Sequence, residues 1–413
     1  MTKFSFSFYY IFICVNLYFT KSNTLDIISL IWDLKESFSK LQQLKITEEI
    51  KNLDISRIEK NLFFYKYSSK NIKPLLKSET QKISIENMAA YNSFKGEVYE
   101  NIIYEFLLDY ALNNESITQF ILKGPHQNRI DKFYKTGLMI DRSLQIVYKS
   151  NYKDISEFDA LFFTEDALYF VEMSTSKKTV SLNKRLEKKY ALLKLLFPNL
   201  HIRALIVLTE GSIGIKRFPS YCTIWITKDL ENDELLKKLV FNRKKTGFKT
   251  KYKDKKFIEA YTVKHSKFIY FQTLEWIFKR CRKKNQSFIN IDFFKTKRLS
   301  LYFDIYTKLY IGFMKNEEFL SLVPSYSEYI ENVFITIEKI NSKEFDIVYY
   351  VKNQNGKLKR VRLTKKEVSI KEKELDGFTN AEVRFMKYLI EDKFYLQKNQ
   401  IRAVKEKIKE LRV

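Results

Sequence analysis

Acidic residues that interrupt apolar segments are the first candidates for chemistry in this chain. Asp159 and Glu172 each stand in a short apolar segment, and Glu100 lies at the edge of an apolar helical face. A carboxylate in such a segment is costly to bury unless it is paired or bound to a metal. Mg²⁺ prefers carboxylate oxygens and retains water, so we predict a hard-cation site formed by Asp159 and Glu172, with Glu100 as a third ligand.

The segments around these acids predict the elements that carry them. A helix is predicted from about Phe94, with Glu100 beside its apolar face. Segments 157–163 and 168–174 have the composition of strands, and the turn residues between them predict a hairpin. The acids therefore fall on one helix and two neighbouring strands.

A basic amphipathic helix and two further strands follow the hairpin. The helix is predicted over residues 182–197, and the strands over 202–209 and 222–227. The residues of its basic face are Lys184, Arg185, Lys188 and Lys189. The order helix, hairpin, helix, strand predicts an α/β fold, with a mixed sheet flanked by helices.

This order of acids and elements resembles the PD-(D/E)xK nuclease superfamily, whose members share the restriction-endonuclease-like fold. Its motifs are a helix Glu, often as GxxxE, then an Asp on one strand and E-x-K on the next. The helix Glu matches Glu100 in the segment 96–100, the strand Asp matches Asp159, and the second acid matches Glu172. The resemblance covers about residues 91–230 and looks most like nuclease modules of CRISPR-associated and restriction-type effectors. It implies a hydrolase, an endonuclease that uses Mg²⁺ or Mn²⁺.

One position departs from the family pattern. Ser174 stands where the family has the lysine of E-x-K. Lys177, Lys184 and Lys188 lie nearby in the sequence, and Lys177 is the first choice because it is nearest. We predict Lys177 as the catalytic lysine, with an inactive relative as the alternative.

The basic charge of the chain is concentrated in one segment. The net charge is +25, and residues 243–298 alone contain 18 basic and 4 acidic residues. Such clusters can neutralise phosphates, so the predicted partner is nucleic acid, with DNA favoured over RNA, rather than an anionic membrane. The residues predicted to bind it are Lys279, Arg280, Arg282, Lys283, Lys284, Lys184 and Lys188.

The amino-terminal residues predict a small α/β unit. Residues 4–20 form a hydrophobic run that resembles a signal peptide or short anchor, but the run contains polar residues and is shorter than the ~20 apolar residues of a membrane span. We interpret it as a buried strand, followed by a helix over 22–41 and a second strand over 61–67. We therefore expect no stable membrane insertion and a cytoplasmic location, with a signal or anchor left open.

The carboxy-terminal residues predict a basic α+β region that binds nucleic acid. Strands are predicted over 333–337, 345–351 and 358–363. Asn355-Gly356 predicts a hairpin turn between the last two strands, and a capping box at 379–382 predicts a helix to about Leu396. A charged helix is expected to close the chain.

Length and composition bound the remaining choices. The 413 residues predict three regions, 1–90, 91–230 and 231–413. Three cysteines without a CxxC, and three isolated histidines, argue against a disulfide framework, a zinc ribbon and a Ser-His-Asp triad. The prediction is a Mg²⁺- or Mn²⁺-dependent endonuclease. The alternatives are an inactive nucleic-acid-binding protein of the same fold and a membrane-associated protein held by residues 4–20, and a homodimer is left open.

Overall fold

The fold is described from a computed structural model of the chain. The residues that the structure describes are 44–68, 72–77, 85–127, 134–242, 252, 254–268, 297–341, 344–354, 358–364, 368–373, 380–391 and 393–409. Residues 48–413 form one compact unit, and the unit before it, 1–47, contributes only residues 44–47 to the described part. The predicted strand over 4–20, the predicted helix over 22–41 and the basic residues 279–284 lie outside the described residues.

The described residues include ten α-helices, of which two cover the central sheet. The helices are α1 (Glu48–Asn52), α2 (Glu59–Leu62), α3 (Lys73–Lys77), α4 (Ile85–Leu112), α5 (Val180–Leu196), α6 (Asp233–Phe241), α7 (Lys297–Ile305), α8 (Asn316–Leu322), α9 (Asn380–Glu391) and α10 (Lys398–Ile408).

The strands of the described residues form three sheets. The strands are β1 (Gln119–Ile121), β2 (Gly137–Ile140), β3 (Ile146–Ser150), β4 (Lys153–Phe158), β5 (Ala160–Phe163), β6 (Ala167–Ser174), β7 (His201–Thr209), β8 (Cys222–Thr227), β9 (Phe257–Ile258), β10 (Lys308–Met314), β11 (Asn332–Asn341), β12 (Glu344–Lys352), β13 (Leu358–Leu363) and β14 (Val368–Lys373). The central sheet has the order β8-β7-β6-β5-β1-β9, a small sheet has the order β2-β3-β4, and the carboxy-terminal sheet runs from β10 to β14 in sequence order.

The central sheet is mixed and is covered on both faces. β6, β7 and β8 run parallel, whereas β5 is antiparallel to both β6 and β1. On one face, the ring of Tyr104 from α4 packs against Phe120, with 5.7 Å between ring centroids. On the other face, Leu186 from α5 joins Phe170 and Ile206 in the main hydrophobic core. The predicted α/β class, with a mixed sheet flanked by helices, is confirmed at this level.

Most predicted elements around the acids are confirmed, with shifted ends. The helix predicted from Phe94 begins earlier, at Ile85, and the predicted hairpin is formed by β5 and β6. The segment 157–163 is two strands rather than one, because the chain leaves the first sheet after Phe158. The break falls at Asp159, the predicted site residue.

The strand predicted over residues 61–67 is wrong. α2 ends at Leu62, and the residues after it form a turn and an irregular segment. The aromatic residues that suggested a strand are buried for another reason: Tyr65 and Tyr67 pack beside each other, and the hydroxyl of Tyr65 reaches Glu105 of α4. Aromatic composition therefore reports burial here rather than strand pairing.

The carboxy-terminal strands are confirmed, and the core continues into them. β11, β12 and β13 contain the three predicted segments, and β12 pairs antiparallel with β13 as a hairpin; its turn at 355–356 lies outside the described residues. α9 ends at Glu391, before the predicted end, and α10 is the predicted last helix. One hydrophobic cluster extends from the central sheet through α7 to this sheet. The predicted boundary at residue 231 stays a prediction.

Within the described residues, no helix is long and apolar enough to cross a membrane. The hydrophobic run at 4–20 is not part of them.

A buried polar network joins the amino-terminal helices to α4. The carboxylate of Glu105, which has no solvent exposure, accepts hydrogen bonds from the amide of Asn61 at 2.8 Å and from the hydroxyl of Tyr65 at 2.7 Å. The ring nitrogen Nε2 of His126 lies 2.5 Å from the same carboxylate. One side chain therefore anchors both the segment after α2 and the loop after β1 to α4.

Replacement of Glu105 tests this anchor. Glu105→Ala leaves three buried polar groups without their common partner, so we expect a loss of about 3–5 kcal/mol in the free energy of unfolding. The measurement is urea unfolding followed by circular dichroism. Glu115→Ala, at an exposed position of the following loop, is the control and should stay within about 0.5 kcal/mol of the parent. Equal effects of the two changes would contradict the anchoring role.

Candidate active site

Asp159 occupies the junction between two sheets. It follows the last residue of β4 and precedes the first residue of β5, and its Oδ2 accepts a hydrogen bond of 2.7 Å from the backbone N–H of Met173. The pairing of β5 with β6, continued by one residue, sets Asp159 opposite Glu172. Residues opposite each other on neighbouring strands are close. The structure therefore brings these two predicted site residues together.

Glu172 is buried in the central sheet and is held by two cations from α5. Its residue is 1% exposed. The ammonium group of Lys189 donates a short hydrogen bond to Oε2, and the guanidinium of Arg185 lies 3.1 Å from Oε1. Burial raises the pKa of Glu172, the charge of Lys189 opposes that shift, and the charge of Asp159 adds to it. Four residues separate Arg185 from Lys189, so one helical face presents both to the same carboxylate.

Lys189 is a buried cation that remains protonated. Its residue is 7% exposed, and its ammonium nitrogen lies 5.7 Å from the ring centroid of Phe158. Burial alone would lower the pKa of Lys189, but the charges of Glu172 and Asp159 and the hydrogen bond to Glu172 outweigh it, so the pKa is raised. Lys189 therefore brings a permanent positive charge to the acids.

Glu100 joins the cluster from the opposite helix, α4. Burial, and then the negative charge of Asp159, raise the pKa of Glu100 to about 8, and the charge of Glu172 adds to the shift. The positive charge of Lys123 acts in the other direction. Without a further cation, Glu100 is therefore mostly protonated at neutral pH. Glu100, Asp159 and Glu172 belong to one electrostatic cluster, as the sequence analysis predicted for these three acids.

The predicted lysine at 177 lies elsewhere. Its ammonium group donates to both carboxylate oxygens of Asp229 at 2.7 Å and to the hydroxyl of Thr209 at 3.2 Å. These partners follow the ends of β7 and β8, so Lys177 ties the loop after β6 to its neighbouring strands. The structure does not bring Lys177 to the acids.

The other predicted basic residues have different positions. Lys184 is exposed on α5, and Lys188 is half-buried beside Lys189, where burial and then the charge of Lys153 lower its pKa. Ser174, at the position of the family lysine, uses its hydroxyl to accept a hydrogen bond from the backbone N–H of Ser176. The predicted nucleic-acid-binding residues at 279–284 lie outside the described residues.

Two lysines that the sequence analysis did not select approach the acids, namely Lys189 and Lys123. Lys189 was read as part of the basic face, yet it continues the stripe formed by Leu182, Leu186 and Leu193 at helical spacing. That spacing was the available signal. Lys123 follows the short strand β1, and no motif marks it.

The donor types fit a hard cation that keeps part of its water shell. Glu100 and Asp159 supply carboxylates, and the raised pKa of Glu100 shows that the cluster has too little positive charge. Mg²⁺ is commonly held by one or two carboxylates together with water and substrate phosphate. In the described part of the chain, however, no three His, Cys, Asp or Glu side chains are grouped closely enough to hold a metal ion by themselves. Both oxygens of Glu172 already contact cations.

Comparison with known proteins adds no relative. No protein-family model matches the chain, and neither the curated proteins nor the solved structures include a match.

The electrostatics of Glu100 predict how stability depends on pH. The pKa is about 8 in the folded protein and near the ordinary 4.5 in the unfolded chain, so between these values only the folded form keeps the proton. The parent should therefore lose stability as pH rises from about 5 to 8 in EDTA. Glu100→Gln cannot ionise, so its stability relative to the parent should increase over the same range.

Urea unfolding in EDTA at several pH values measures this difference. Glu115→Gln, which changes an exposed carboxylate, is the matched control. A stability difference between Glu100→Gln and the parent that does not change with pH would contradict the raised pKa.

Proposed function

We propose that the chain is a Mg²⁺- or Mn²⁺-dependent endonuclease of the restriction-endonuclease-like fold, which hydrolyses phosphodiester bonds and favours DNA over RNA. The observation that carries the proposal is the group formed by Asp159, Glu172 and Lys189. It joins two acids from adjacent strands to a buried, protonated lysine. This is the set of charges that the D…E-x-K pattern supplies, with the lysine coming from α5 instead of Ser174.

The order and direction of the elements support the fold assignment. A helix with a Glu at its edge (α4) precedes an antiparallel hairpin (β5 and β6), and a helix (α5) then connects to a parallel strand (β7). The acids lie at the carboxyl end of β6, where the parallel strands β7 and β8 also end. Ligands of α/β sheets commonly bind at that edge.

Glu100 and Asp159 would hold the metal, and Glu172 would join them when the cation draws it from Arg185. A cation there would supply Lewis acidity at the scissile phosphate. The chain's own contribution is to collect these acids in a largely buried site and to keep Asp159 oriented through its bond to the N–H of Met173. Mn²⁺ has similar ligand preferences and serves as an alternative ion.

Lys189 has the properties of a group that stabilises charge. In phosphodiester hydrolysis, water attacks phosphorus, the bond to one ester oxygen breaks, and negative charge accumulates on the phosphoryl oxygens and the leaving oxygen. A protonated ammonium can donate hydrogen bonds to that charge, whereas it cannot accept a proton from water. The raised pKa of Lys189 therefore assigns it to charge stabilisation or to water orientation, not to general base catalysis.

The surface of α5 next to the site is basic. Lys184 is exposed, Arg185 is about half-exposed, and Lys188 is close enough to Lys153 that the charge of Lys153 lowers its pKa. Among the described residues, no carboxylate pairs with Lys184, Lys188 or Lys153. Like charges gathered beside an acidic site favour a polyanion as partner. We propose that the nucleic-acid backbone follows this surface to the acids.

The acids give the first functional prediction. Asp159→Asn and Glu172→Gln preserve side-chain shape but remove the charges that hold the metal. We expect each to reduce nicking of supercoiled plasmid in Mn²⁺ by on the order of 100-fold or more. DNA affinity measured by fluorescence anisotropy in EDTA should fall by less than about threefold, because removing acids does not weaken phosphate binding.

Glu157→Gln is the matched control for these acids. Glu157 lies on β4, two residues before Asp159, and its side chain is exposed. It should retain cleavage within about threefold of the parent. Full activity of Asp159→Asn would contradict the metal assignment.

The lysines give the second functional prediction. Lys189→Met preserves the apolar stem and removes the charge next to Glu172, so we expect the cleavage rate to fall by on the order of 100-fold or more. Lys177→Met is the comparison, because Lys177 is paired with Asp229 and lies apart from the acids. Single-turnover cleavage of a labelled duplex measures both. A larger loss with Lys177→Met than with Lys189→Met would restore Lys177 as the catalytic lysine.

A nucleic-acid-binding protein without cleavage is the second candidate. The observation that favours it is the occupation of both Glu172 oxygens by Lys189 and Arg185. Under this alternative the parent binds DNA with the same affinity but does not nick plasmid with Mg²⁺ or Mn²⁺. Arg185→Ala distinguishes a blocked site from an inactive one, because release of Glu172 should then permit cleavage.

A further inference from the structure

Lys123 is a buried cation whose hydrogen-bonding partner is neutral. The residue is 1% exposed, and its ammonium nitrogen lies 2.9 Å from the amide oxygen of Gln145 and 5.1 Å from the ring centroid of Tyr104. Among the described residues, no carboxylate forms an ion pair with it. A buried ammonium without a paired charge is costly. Attraction over a longer distance must offset that cost.

The backbone around Lys123 is fixed by α4. The N–H of Lys123 donates a 2.7 Å hydrogen bond to the hydroxyl of Tyr104. Gly124 follows with a φ of +60°, and a Cβ there would stand 2.6 Å from the ring of Tyr65. His126 then contacts the buried carboxylate of Glu105. The loop after β1 is thus held at three successive points, and Lys123 has one position.

That position lies in line with the acids. β1 pairs antiparallel with β5, and the same pairing continued past Phe120 sets Lys123 opposite Asp159, which is itself opposite Glu172. Burial lowers the pKa of Lys123, whereas the charges of Asp159 and Glu100 raise it. In return, the charge of Lys123 lowers the pKa of Glu100. Lys123 and the acids therefore stabilise each other without direct pairing.

We propose that Lys123 is the internal counter-ion of the acidic site. It balances Glu100 and Asp159 while no metal is bound, and its fixed charge repels a bound divalent cation and so limits how tightly the site holds one. Lys123 is a positioning residue: it acts through the acids and does not touch substrate. The inference rests on the proposed function, because it requires that the acids bind a divalent cation.

Neutral variants of Lys123 separate this role from a structural one. Lys123→Met keeps the apolar stem, and Lys123→Gln keeps a hydrogen-bonding group beside Gln145. Both should bind Mn²⁺ on the order of tenfold more tightly than the parent, because a unit charge no longer repels the ion. Both should also melt at lower temperature in EDTA and gain more than the parent when Mn²⁺ is added. Mn²⁺ binding is measured by electron paramagnetic resonance of the free ion, without substrate.

Two lysine variants serve as controls. Lys123→Arg keeps the charge, so its Mn²⁺ affinity should stay within about threefold of the parent. Lys177→Met removes a lysine that pairs with Asp229 and has no part in the acidic cluster, and its Mn²⁺ affinity should be unchanged. A purely structural role for Lys123 would instead give equal or weaker Mn²⁺ binding in the neutral variants.

The outcomes distinguish the inference from the proposed function. If the parent binds no Mn²⁺, the proposed metal site fails and the inference fails with it. If the parent binds Mn²⁺ and both neutral variants bind it equally or more weakly, the inference alone is overturned. Neutral variants that fold neither with nor without Mn²⁺ also overturn it, since a divalent cation should replace the missing charge.

Discussion

Burying negative charge is the constraint on which this region of the protein depends. Glu172 stands in the middle of a covered sheet at 1% exposure, where an unpaired carboxylate would cost several kcal/mol. Lys189 supplies the opposite charge, but only if α5 lies over β6 with that face turned inward. The ion pair therefore fixes the rotation of α5 about its axis. The same rotation turns Arg185 to Glu172 and leaves Lys184 on the surface.

The position of α5 also explains why the carboxy-terminal region matters to the site. α5 contacts the central sheet through residues such as Leu186, and it packs against α7, which continues into the five-stranded sheet. The helix that carries Lys189 is thus enclosed between two layers, and the acids meet a lysine with little freedom to move. On the other face, Glu105 secures the loop that carries Lys123 to α4. Hydrophobic packing and buried polar contacts together set the distances among the charges.

Local pattern was sufficient for the hairpin, α5 and the three carboxy-terminal strands, because apolar periodicity and turn chemistry are local properties. The acids were also found, since a carboxylate in an apolar strand is conspicuous in sequence. The lysines were not, because Lys177 is near Glu172 only along the chain, and Asp229 captures it in space. Lys189 and Lys123 reach the acids through helix rotation and strand pairing. The segment after α2 failed for a similar reason: its aromatic residues answer to Glu105, which is distant in sequence.

The central claim is that Glu100 and Asp159, with Glu172 beside them, form a site for a divalent cation. Anomalous diffraction from a crystal grown with Mn²⁺ tests it most directly, because the anomalous signal locates the ion without reference to activity. The account predicts one strong peak between the carboxylates of Glu100 and Asp159, with Lys189 still near Glu172. Full occupancy of Mn²⁺ elsewhere, with no peak at these carboxylates, would contradict it.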